Sequence, residues 1–83
     1  MKEKICELVG DKLDSLGVYI DSVIYEQEEG NNYLRIVLDS YEMISLDVVV
    51  EATKIINPIL DNEENLINEA YILDVYAKSK GDE

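Results

Sequence analysis

The side chains that could do chemistry in this 83-residue chain are its carboxylates: 19 acids stand against 7 bases, for a formal net charge of −12, and there is no histidine. Without an imidazole, histidine-based triads, general bases and metal sites are excluded. No glycine-rich phosphate loop is present. Asp61, Glu63 and Asn65 alternate oxygen-bearing side chains as a calcium loop begins. The sixth position is then Leu66 in place of glycine and the twelfth is Ile72 in place of glutamate, so solvated acids are expected there. No two acids are set by spacing to oppose each other across a glycosidic bond. Cys6 has no neighbouring base or positive field in the sequence and reads as an ordinary, partly buried thiol. The expectation is a non-enzyme with no catalytic residue, cofactor or metal.

Acids in this number point to binding. Five of the bases, Lys2, Lys4, Lys12, Lys78 and Lys80, lie toward the ends, and between Leu13 and Ala77 only Arg35 and Lys54 oppose fourteen acids. Such a body repels nucleic-acid phosphates and attracts a basic protein. Plain solubility is the competing use of the charge. A chain this short forms one small domain. There is no apolar run long enough to span a membrane, and MKEKICELVGDKL lacks the apolar centre of a signal peptide. With a single cysteine, a cytoplasmic location is expected.

The elements that would position these acids follow from periodicity. Ile5, Leu8, Val9, Leu13 and Leu16 make an apolar stripe that predicts a helix over 2–16, ended by Gly17; Gly10 inside it suggests close approach to a sheet. Val18 to Glu26 alternates as a strand, with Tyr19, Asp21, Val23 and Tyr25 on one face and Ile20, Ser22 and Ile24 on the other. Gln27 to Asn32 reads as the turn and Tyr33 to Asp39 as the second strand, apolar through Leu34, Ile36 and Leu38. Ser45 is a good N-cap for a second helix carrying Val49, Ala52, Ile55, Ile56, Ile59 and Leu60 on one face. Pro58 either kinks that helix or stops it near Ile56; Ile59 and Leu60 continue the same face and favour the kink. Asp61 to Glu69 reads as an acidic surface loop. From Ala70 a third strand sets Tyr71, Leu73 and Val75 against Ile72, Asp74 and Tyr76. The order α-β-β-α-β predicts an α+β fold, a two-layer sandwich with both helices on one face of a three-stranded sheet. The other face, with Tyr33, Arg35 and Val37, is left either as a contact surface or as cross-strand support of the sheet by its tyrosines.

Two long pieces, LGVYIDSVIYEQEEGNNYLRIVLDS from Leu16 to Ser40 and ISLDVVVEATKIINPILDNEENLINEAYILDV from Ile44 to Val75, resemble the N-terminal domain of the ribosome maturation factor RimP. The likeness lies in a Leu-Gly before the first strand, a hairpin ending in Asp, a Ser-Leu-Asp helix start, a late helical Pro followed by Leu-Asp, and a Tyr-x-Leu-x-Val strand. It implies a factor that binds the free small (30S) ribosomal subunit and assists its maturation by contact with a basic ribosomal protein. The family pattern continues into a Ser-Pro-Gly turn and an Arg-Pro pair, then a small β-barrel domain; this sequence has none of these. The expected organisation is one such domain over residues 1–77 and a charged tail over 78–83. The expected partner surface is Asp61, Glu63, Glu64 and Glu69 with Tyr33 and Arg35. The alternative use of the same fold is a stand-alone adaptor or homodimer.

Overall fold

A computed structural model describes residues 2–63, 66–67 and 69–78 of the chain. The order is α1 (Lys2–Leu13), β1 (Tyr19–Glu28), β2 (Asn31–Asp39), α2 (Leu46–Asp61) and β3 (Ile72–Ala77). It is the α+β sandwich that the periodicity predicts. β2 is the central strand, antiparallel to β1 and parallel to β3. Both helices cover the sheet face that carries Leu34, Ile36 and Leu38. Ile5, Val9 and Leu13 of α1 and Ala52, Ile56 and Leu60 of α2 are buried against those strand residues.

The end of the first helix differs from the expectation by one turn. α1 stops at Leu13, and Asp14–Leu16 tightens into a 3₁₀ turn. Gly17 ends it in the left-handed region at φ 77°, and its amide donates to the Asp14 carbonyl at 3.0 Å. A residue with a Cβ is strained at that φ, which is the physical use of this glycine. The Ser45 hydroxyl accepts from the Val48 amide at 3.3 Å and caps α2 as expected. α2 runs through Pro58 to Asp61, so the reading that stops it near Ile56 is not the one observed. Gly10 makes no close approach: a Cβ built there meets nothing within 4 Å. That expectation is corrected.

The hairpin is longer and its turn tighter than the composition suggests. β1 and β2 pair through Glu28 and Asn31, leaving Glu29 and Gly30 as a two-residue turn with φ 52° and 84°. Positive φ at both positions is the type I′ geometry, whose twist matches that of the flanking strands. The larger correction is a bulge. Ile20 pairs with Leu38 and Ser22 with Val37, so the register slips by one residue there. Beyond the slip every side chain of β1 changes face. Val23 then pairs with Ile36 and Tyr25 with Leu34, on the helix-covered face instead of sharing the face of Tyr19.

Candidate interaction surface

With Leu34, Ile36 and Leu38 turned to the helices, alternation places Tyr33, Arg35, Val37 and Asp39 on the opposite face of β2, away from α1 and α2. The register then builds this face in rows. Glu26 and Ile72 flank Tyr33, Ile24 and Asp74 flank Arg35, and Ser22 and Tyr76 flank Val37. Ile24, Ile72 and Tyr76 remain exposed.

Arg35 is the centre of the face. Its guanidinium nitrogens lie 3.0 Å from Glu26, 3.3 Å from Glu28 and 3.4 Å from Asp74. The hydrogen bond to Glu28 raises the pKa of the guanidinium; partial loss of water opposes this, and the charges of Glu28 and Glu26 add to the rise. The Arg35 side chain is 19% exposed, against 43%, 52% and 48% for those three acids. A partner arriving from solvent therefore meets carboxylates first, with two negative charges left uncancelled around an inner cation.

The acids singled out in the sequence sit elsewhere. Asp61 ends α2 and Glu63 follows it, while Glu69 lies in the connection to β3. Glu64 and Asn65 lie outside the described residues. The Glu69 carboxylate accepts from the Tyr25 hydroxyl and from the Asn32 side-chain amide, each at 3.2 Å, and Asn32 also donates to the Ala70 carbonyl at 3.1 Å. Glu69 thus fastens the α2–β3 connection to the hairpin. Loss of water at Tyr25 raises its phenol pKa, and the hydrogen bond and charge of Glu69 raise it further. Burial, followed by the charge of Asp61, does the same to Tyr71.

Arg35 pairs with Glu26, Glu28 and Asp74, none of which the sequence reading assigned to the surface. The signal for Asp74 was its alternation with Ile72 and Tyr76. What was missing was the register that lays these residues beside Arg35. At the far end of the sheet from the hairpin, a cleft of about 430 Å³ lies between the start of β1 and the β2–α2 connection. Val18, Ser40, Met43 and Ile44 are among its walls, and the exposed Tyr41 stands at a ring-centroid distance of 5.9 Å from Tyr19. It offers apolar contact, with Glu42 also in its lining.

Among the described residues no helix is long and apolar enough to cross a membrane. A family model described as "RimP N-terminal domain" matches residues 8–78. The match runs from within α1 to the residue after β3 and includes every strand of the sheet.

Proposed function

We propose a function from one premise: the chain belongs to the RimP N-terminal domain family, which is that of a ribosome maturation factor acting on the small ribosomal subunit. In this reading the domain binds the subunit by protein–protein contact with a basic ribosomal protein, in the cytoplasm, and carries out no catalysis. The observation that supports it is Arg35 outnumbered three to one by exposed carboxylates on the sheet face opposite α1 and α2. Such a face attracts cationic side chains over a range set by salt, and its rim of Ile24, Ile72 and Tyr76 supplies apolar area once they arrive.

The test is co-sedimentation with purified small subunits at rising ionic strength. Neutralising the face (Glu26→Gln, Glu28→Gln and Asp74→Asn together) is expected to weaken binding by about tenfold or more and to flatten its salt dependence. Neutralising Asp61, Glu63 and Glu64 is the parallel arm, and a larger loss there moves the contact to the acidic loop. Binding that neither triple variant alters overturns an electrostatic contact altogether.

A further inference from the structure

We infer that the outer edge of β3 is a docking strand, and that the occupant is an extended basic segment of the partner that adds to the sheet beside Ile72–Ala77. This rests on the reading above and gives it a binding mode.

Both β1 and β3 are edge strands. Sheet edges are ready-made templates for another strand unless a bulge, a proline or charges blunt them. β1 is blunted, by the bulge between Ile20 and Ser22 and by the polar run Glu26, Gln27 and Glu28 at its end. β3 reads Ile-Leu-Asp-Val-Tyr-Ala, and its register with β2 is unbroken from Ile72 to Ala77. Among the described residues no strand pairs with its outer side.

The direction of its backbone groups follows from one bond. The Lys78 amide donates inward to the Leu38 carbonyl at 2.7 Å. Backbone groups alternate sides along a strand, so Tyr76, Asp74 and Ile72 also bond toward β2. Leu73, Val75 and Ala77 are left presenting N–H and C=O outward. The side chains of Leu73 and Val75 pack against the core yet stay partly exposed, as an edge awaiting cover does.

Charge selects the occupant. On the open face an added residue beside Asp74 extends the row Ile24–Arg35–Asp74, within reach of its carboxylate. A cation there reduces the local excess of acid, while apolar residues two positions away on either side meet Ile72 and Tyr76. A second copy of this chain would bring another −12 and is repelled.

The test uses the full chain, isotopically labelled, with a capped peptide of valines around a single central arginine and a second peptide in which glutamate replaces that arginine. The arginine peptide is expected to slow amide exchange at Leu73, Val75 and Ala77 by about tenfold or more, with smaller gains at the inward-bonded Ile72, Asp74 and Tyr76. Equal protection by the glutamate peptide, or arginine-peptide binding without that alternating pattern, overturns the inference. A semisynthetic chain N-methylated at Val75 loses an outward donor and no bond to β2. If it sediments with small subunits as the unmodified chain does, the docking strand is overturned and the proposed function stands. If the unmodified chain ignores subunits but takes the arginine peptide along β3, the function falls and the docking strand stands. Should the methylated chain fail to fold, the exchange pattern of the unmodified chain decides alone.

Discussion

The guanidinium of Arg35 lies 4.7 Å from the centroid of the Tyr33 ring, two residues back along the same face of β2. The ring and three carboxylates together hold one cation in place. An isolated exposed ion pair contributes little to stability, but a network around a fixed, partly buried guanidinium contributes more.

Replacing that cation tests the network. Arg35→Met keeps a long apolar side chain and leaves Glu26, Glu28 and Asp74 facing one another. The expected result is a lower urea midpoint at low salt. The drop should shrink as salt rises, because the three acids then repel each other less. A loss that does not respond to salt would mean packing, not charge, is Arg35's main contribution.

Gly10 offers a gain. It sits within α1, and a methyl group there meets open space. Gly10→Ala is expected to stabilise the chain by about 1 kcal/mol through helix propensity and a less flexible unfolded state. A higher urea midpoint with an unchanged slope is the expected result.

The type I′ turn is tested at both of its central residues. Gly30, at φ 84°, tolerates no Cβ without strain, and Gly30→Ala is expected to cost about 1 kcal/mol. Glu29 already bears that strain at φ 52°. Glu29→Asn gives the sequence Asn-Gly, which suits this turn best, and should raise stability by about 0.5 kcal/mol. Thermal unfolding of the two variants should move in opposite directions.

Tyr25 and Tyr71 make stability fall in alkali. Both phenols hold their protons above tyrosine's usual range in the folded chain, for loss of water first and nearby acids second. The unfolded chain therefore ionises first. The stability tied to the neutral phenols is complete below about pH 10, the unfolded value, and is lost as pH rises through the higher folded values. Urea midpoints measured from about pH 8 to about pH 11 should drop, and Tyr25→Phe should make the drop shallower.

Much of this architecture can be read from periodicity. The stripes of α1 and α2, the Ser45 cap, the helical course past Pro58 and the apolar face of β2 all appear in the residue pattern, because each depends on neighbours a few positions away. The bulge does not. Counting by twos through Ile20, Asp21 and Ser22 cannot reveal an extra residue, so simple alternation puts Val23 and Tyr25 on the wrong face. Composition makes the hairpin turn look too wide because Gln27, Glu28, Asn31 and Asn32 are polar, and polar residues at an exposed strand end look like loop. The surface was only half legible for a related reason. Tyr33 and Arg35 came from β2 alone, whereas Glu26 and Asp74 join them only through registers set by two different pairings. Glu69 is legible as an acid, but its bonds to Tyr25 and Asn32 reach across 44 and 37 residues and leave no local trace.

The parallel pairing of β3 also sets an order in time. Glu28 meets Asn31 across a two-residue turn, whereas Tyr33 meets Ile72 only after all of α2 has been threaded between them. Closing the longer loop costs more entropy before any contact returns it, so the hairpin can form early and β3 docks once α2 is seated. The strand that arrives last is also the readiest to leave. A partner strand laid along its outer edge would hold it there, slowing unfolding of the sheet for as long as the partner stayed bound.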